Sequence, residues 1–364
     1  MADILTPPIR FTPALEQREP DEAETIADLN RSFDIILDTT ATDYGKAVRA
    51  VHAKAHGIVK AELTVHDGLP DEYAQGLFAT PGRHAVWMRF STNPGDILDD
   101  AIGLPRGLAW KVLGVEGERL AGAEGRTQDF VMVNAPAFAA PNPKKFASNL
   151  KLLARTTDKA EWAKKALSFV LRGAEAALEA VGTESTLLKT MGGAKNVHPL
   201  GETYFSATPF RHGEYVAKYQ VVPVSGDLTA LTDTVVDTSG RPNAIREDMQ
   251  ASMRDLHGVW EVRVQLLRDT QKQPIEDAAT PWDEADSPFV TVATIRAEPQ
   301  DSWAADKVEQ VDENLRFSVW TGLAAHQPLG GVNRVRKPVY QHSADYRKRV
   351  NGCPMYEPDA PGKA

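Results

Sequence analysis

The chain has 364 residues, 42% of them hydrophobic and 25% charged, which is enough apolar material for a sizeable core. Its 41 basic and 50 acidic residues leave a formal charge of −9, so no global basic excess points to nucleic acid, and each local arginine has to be judged by itself. The single cysteine, Cys353, excludes an internal disulfide framework and any multi-cysteine zinc or iron–sulfur centre built by this chain alone. MADILTPPIR at the N-terminus carries neither a basic n-region nor a long apolar h-region, and nowhere do about 18 apolar residues run together. The expectation is a cytoplasmic protein without a membrane span.

In chain order, residues 1–25 are rich in Pro and Glu and read as an extended N-terminal arm. Ile26, Leu29, Phe33, Ile36 and Leu37 recur at helical spacing and predict a helix from Glu22 to Leu37. A second helix is expected from Asp43 to Ala53, carrying Arg49 and His52 three apart on one face. Strands are expected at Gly57–Val65, His84–Ser91, Gly107–Val112 and Phe130–Val133. From Lys144 the composition turns to Ala, Leu and Lys with helical periodicity, which predicts a helical insert at about 144–195. Strands return at Thr203–Thr208, Tyr215–Val222, Val259–Leu267 and Phe289–Ala297, with a surface loop from Asp269 to Pro288. A last helix begins near Asn333 and ends before Gly352, so the body spans 26–350 and 351–364 is a tail, loose after Met355. Strands, then helices, then strands are an α+β signature, and few helices between the strands favour an antiparallel sheet or barrel.

The last helix carries the first chemistry. Arg336, Tyr340 and Arg347 stand at offsets of four and eleven, within roughly 40° of one face. A tyrosine hydroxyl in water holds its proton to about pH 10, but a ferric ion and a neighbouring arginine both favour the phenolate. Tyr340 is therefore a candidate iron ligand. On its own the stretch reads first as a solvated basic helix whose tyrosine packs its ring. Two upstream stretches change that reading: RAVHAKAHGI from Arg49 to Ile58, and WMRFST from Trp87 to Thr92.

These three stretches, in this order, resemble the haem-binding segments of the catalase family. The resemblance implies a catalase-like antiparallel β-barrel core with flanking helices and a bound haem b. It makes His52 the distal proton shuttle, a role suited to an imidazole that exchanges protons near neutrality, with Val51 narrowing the channel and Arg49 on a haem carboxylate. Alternation on the strand puts Arg89 and Ser91 on one face, opposite Phe90. The resemblance gives Arg89 a haem propionate and Ser91 the second nitrogen of His52. On the other side of the haem it makes Tyr340 the axial ligand, Arg336 the partner of its oxygen and Arg347 a propionate partner. GLPRGLAWKV resembles a segment that is structural in the family, so Pro105 and Arg106 are not placed in the site.

Two departures matter. Catalases carry N-N-T-P-x-F-F where this chain has VNAPAFA from Val133 to Ala139; aligned on Pro136 and Phe138, Asn134 falls on the second asparagine of the pair, not on the distal first. Either a one-residue shift turns Asn134 inward or the distal amide is absent; we assign it to Asn134, because a polar group ending a buried strand needs a partner. Phe146 stands at the spacing of the phenylalanine over the distal face, while Ala139 replaces a bulky channel phenylalanine and implies a more open pocket. Near Gly330 the expected acid supporting the proximal arginine is missing.

The resemblance covers roughly Thr40–Phe146 and, more weakly, Thr203–Arg347, and does not extend to the long arm, most of the wrapping segment or the C-terminal domain of large catalases. TQDF at Thr127–Phe130 and HQPLG at His326–Gly330 resemble the small catalase-related haem peroxidases. That branch implies reduction of hydrogen peroxide or organic hydroperoxides by small organic donors, weak catalase activity, and a simple oligomer such as a homodimer. The alternatives are a haem-dependent hydroperoxide lyase or isomerase, as in the allene oxide synthases that share the core, and a haem-storage protein.

Overall fold

A computed structural model describes residues 6–154 and 195–358. The fold is α+β: an antiparallel barrel with helices laid against its outside. Its strands are β1 (Ala55–Val65), β2 (Gly82–Thr92), β3 (Arg106–Leu113), β4 (Thr127–Val133), β5 (Tyr204–Phe205), β6 (Phe210–His212), β7 (Tyr215–Pro223), β8 (Gly258–Leu266) and β9 (Val290–Ala297). Hydrogen-bonded neighbours run β5-β4-β3-β2-β1-β9-β8-β7, and β5 also pairs with β7, which closes an eight-stranded ring; β6 forms a hairpin on β7. The closing seam is short: β5 meets β4 at one residue pair, Val133 with Phe205, and β7 at two.

Alternation along each strand builds the interior. Val59, Ala61, Leu63 and Val65 of β1, Leu108, Trp110 and Val112 of β3, and Trp260, Val262 and Val264 of β8 all point into one core. The intervening residues face outward, and on β3 these too are buried, because helices and loops cover that wall. On this covered face Lys111 is fully buried between Asp129, at 2.7 Å, and Glu357, at 2.5 Å. Glue of this kind holds the end of the chain: Tyr356 bridges Leu315, and Glu357 also accepts from Arg316 and Thr127. The described tail residues are thus tied down where a loose segment was expected.

Helix α1 (Glu22–Tyr44) turns Leu29, Phe33, Ile36 and Leu37 inward at helical spacing and packs with α2 (Pro143–Ala154) and α4 (Gly331–Asn351) in a second core. Asp34 and Asp38 of α1 meet His342 and Tyr346 of α4 at 2.6 Å each. Arg334, buried at the start of α4, binds Glu16, Glu22 and Glu276, and so pins residues of the expected arm to the body. A short helix α3 (Ala244–Met253) and a π-helical turn (Val308–Glu313), neither expected from sequence, cover the barrel near β1. Of the predicted helical insert, α2 is described; residues 155–194 lie outside the described residues.

Candidate active site

Helix α4 presents Tyr340 with Arg336 one turn earlier. Arg336 donates to the Tyr340 hydroxyl oxygen from Nε at 3.2 Å and from Nη2 at 3.0 Å. Two N–H donors on one phenol oxygen suit an oxygen that carries negative charge. Arg336 is itself steadied by Asn333, whose Oδ1 accepts from its Nη1 at 3.1 Å and from Thr208 Oγ1 at 3.1 Å. The Asn333 amide is completed by donation to the carbonyls of Pro209 and Leu329. A neutral, fully satisfied amide therefore supports the arginine. Gly330 has no room for an acid: its φ is +82°, and a Cβ there would lie 2.5 Å from the Ile275 carbonyl oxygen.

The segment facing α4 is not the helix expected over Asp43–Ala53. Helix α1 runs on to Tyr44 and is stopped by Gly45 in the left-handed conformation at φ +66°. The loop that follows is clamped to α4, because Asn351 bonds both backbone groups of Ala47 at 2.8 Å and Ser343 Oγ accepts the Ala50 amide at 3.1 Å. At its far end His52 has φ +54°, a conformation that costs a non-glycine residue about 1–2 kcal/mol. Bonds from His52 N–H to Asn93 O, from Ala53 N–H to Pro94 O, and from Arg89 Nη2 to His52 O hold it there.

The His52 ring lies over Gly107, where a Cβ would come within 2.4 Å of Cε1. Its Nδ1 is 3.1 Å from Ser91 Oγ, which in turn is 3.5 Å from the Gly107 carbonyl. With Nδ1–H donating to Ser91, whose hydrogen passes on to Gly107, Nε2 is left as the bare acceptor. Burial, and after it the charges of Arg89, Arg336 and Arg49, push the imidazole down to about 3, so it is neutral at physiological pH.

Arg49, Arg89 and Arg347 converge on the π-helical turn. Arg49 and Arg89 donate to Asp312 Oδ1 at 2.6 and 2.8 Å, and Arg347 donates to the carbonyls of Asp312 and Glu313 at 2.9 and 2.6 Å. Burial alone would raise the Asp312 carboxyl, but Arg89 and Arg49 bring it down to about 2. Three guanidinium groups against one carboxylate leave two positive charges at this rim. All three arginines, Val51, His52, Ser91 and Tyr340 line one cleft, partly open to solvent, with apolar walls from Ala109, Val131 and Phe317.

Asn134 does not line this cleft. Its Oδ1 accepts the Arg106 amide at 2.9 Å and its Nδ2 donates to Glu202 at 2.5 Å, so the inward turn expected from sequence does not occur, and Glu202 is the reason. Burial raises the Glu202 carboxyl to about 7, against Arg106 and Asn134. Ala139 is not among the lining residues either. Phe146 packs edge-on against Phe138 at 5.2 Å and belongs to the apolar cluster that Val51 and Tyr340 also join. Sequence reading missed Asp312, Ser343, Asn333 and Gly107. Ser343 was within reach, since Tyr340, Ser343 and Arg347 follow a helical spacing of three and four; nothing local distinguishes Asp312 from the other carboxylates.

This donor set fits haem. A cleft with apolar walls suits a flat apolar group, two uncompensated positive charges at its rim match two carboxylates, and an arginine-held phenol oxygen is a ligand for a ferric centre. The comparisons with known proteins agree on the fold. A family model described as Catalase matches residues 46–314. Among solved structures, a fungal catalase is 17% identical with a TM-score of 0.58, covering 87% of this chain and 62% of that one. Catalase A from Saccharomyces cerevisiae is 15% identical (TM-score 0.57; 90% and 70% covered), and a bacterial catalase 17% identical (0.61; 90% and 67%). No curated protein matches the chain in sequence. The family match spans well over half of the chain, and the chain belongs to the catalase family. It spans less than two thirds of the fungal catalase.

Proposed function

We propose that this protein is a haem b peroxidase of the small catalase-related branch, which reduces hydrogen peroxide and organic hydroperoxides with small organic donors and has weak catalase activity. One observation carries the reading: Tyr340, held by Arg336, and His52, held by Ser91, line a single cleft rimmed by Arg49, Arg89 and Arg347. Bound haem would supply the redox centre at which a peroxide O–O bond is cleaved. Tyr340 would be its iron ligand, and the three arginines would hold its carboxylates. His52 would accept a proton at Nε2 from a peroxide in the cleft and return it to the departing oxygen. Its lowered basicity keeps Nε2 unprotonated and ready for that first transfer. Ser91 holds the ring, and Arg89, through the His52 carbonyl, holds the strained backbone beneath it.

His52→Ala tests the reading. The variant is expected to keep haem absorbance and to lose peroxide turnover with guaiacol as donor by about 10²–10⁴-fold. Near-normal turnover in the variant would remove His52 from the chemistry. Rearrangement of a fatty-acid hydroperoxide without any donor would support the lyase or isomerase reading instead, and inert bound haem would support storage.

A further inference from the structure

Behind the cleft, inside the barrel, three side chains form a polar group that the reading above does not use. Tyr219 on β7, His212 on β6 and His326 are all fully buried. The Tyr219 hydroxyl lies 3.1 Å from His212 Nδ1 and 2.9 Å from His326 Nδ1. The backbone fixes both tautomers. His326 Nε2 accepts the Leu77 amide at 2.8 Å, so its proton is on Nδ1 and is donated to the Tyr219 oxygen. His212 Nε2 is 3.1 Å from the Tyr73 carbonyl, which can only accept, so its proton is on Nε2 and Nδ1 is a bare lone pair. The phenol proton of Tyr219 therefore points at His212 Nδ1. Burial pushes His212 down to about 4 and Tyr219 well above its ordinary value, so at rest the group is neutral.

A line of contacts leads from this group to the cleft. The Tyr219 ring meets Phe130 edge to face at 5.0 Å, and Phe130 stacks on Trp110 at 4.2 Å. Trp110 Nε1 donates to Met132 Sδ at 3.1 Å inside the barrel, and β4, which carries Met132, is part of the wall between the interior and the cleft.

We propose that Tyr219 is a redox-active tyrosine that gives one electron to haem oxidised by a peroxide; this rests on the haem reading above. The O–H bond of Tyr219 breaks, the electron passes along Phe130, Trp110 and Met132 and reduces the oxidised cofactor by one equivalent, and the proton moves to His212 Nδ1. The products are a neutral phenoxyl radical, bonded by the new His212 N–H and by His326 Nδ1–H, and an imidazolium that still donates to the Tyr73 carbonyl. Because proton and electron leave together, neither a phenolate nor a phenol radical cation is formed in the apolar interior. An oxidising equivalent is then held in the barrel when no donor occupies the cleft.

The test is freeze-quench electron paramagnetic resonance on haem-loaded protein mixed with hydrogen peroxide and no donor. The expected result is an organic radical whose hyperfine splitting narrows in protein grown on ring-deuterated tyrosine, and which is lost in Tyr219→Phe and in His212→Phe, the latter retaining the phenol without its proton acceptor. Should Tyr219→Phe not fold, the deuterated wild type and His212→Phe decide. A haem-loaded protein that consumes peroxide but shows no tyrosine radical, or keeps it in either folded variant, overturns this inference alone. A protein without haem absorbance overturns the haem reading and this inference with it.

Discussion

Ser343 Oγ accepts the amide N–H of Ala50 at 3.1 Å, and by that bond the loop carrying His52 is clipped to the helix carrying Tyr340. Ser343 follows Tyr340 by three residues and Ala50 precedes His52 by two, so the two faces of the cleft share one fastening. Ser343→Ala would leave the buried Ala50 amide without a partner, at a cost of about 1–3 kcal/mol. Denaturant unfolding should show that loss, and peroxide turnover should fall by up to about 10²-fold through misplacement of His52. Unchanged stability and turnover would mean that the clip does not position the loop.

Gly107 is the floor beneath His52. A Cβ there would sit 2.4 Å from Cε1 and 2.6 Å from Nδ1 of the ring, closer than real contacts allow. Gly107→Ala should therefore displace the imidazole from Ser91 while leaving α4 untouched. We expect full haem binding and turnover at least about 10²-fold down. Normal turnover would show that the ring can retreat without consequence.

Acid should unfold the protein early. His52, His56, His212 and His326 are buried and neutral, their folded affinities for protons depressed from 6.5, to about 3 for His52 and about 4 for His212. Below pH 6.5 the unfolded chain binds protons that the folded chain refuses, so stability present above 6.5 is lost as the pH falls toward 4 and 3. His212 alone contributes on the order of 3 kcal/mol across that window. Glu202, raised from 4.5 to about 7, and Asp129, also raised, favour the folded state as the pH falls and offset part of the loss. Thermal unfolding followed from pH 7 to pH 4 should show a steadily falling Tm, and His212→Phe should flatten it. A flat profile in the wild type would contradict the neutral assignments.

The barrel was legible because its strands alternate. Val59, Ala61, Leu63 and Val65 declare an inward face, and Arg89 and Ser91 share the face opposite Phe90 in the sheet as in the sequence. Arg336 and Tyr340 were legible because four residues make one helical turn. The loop before His52 was not, since Asp43–Ala53 has nothing strongly unhelical in it except Gly45, and what decides its path is the clamp from Ser343 and Asn351 about three hundred positions later. Asn134 misled for the same reason. Its partner, Glu202, stands 68 residues away, and no local pattern announces that a carboxylate will take up the amide.

The central claim is that Tyr340, with Arg336 on its oxygen, is the iron ligand of a haem held in this cleft. The absorption spectrum of protein purified from cells supplied with a haem precursor, recorded for the wild type and for Tyr340→Phe, tests it most directly. A high-spin ferric haem spectrum is expected in the wild type, and its loss or marked alteration in the variant. A colourless wild type, or a variant with the same spectrum, would contradict it.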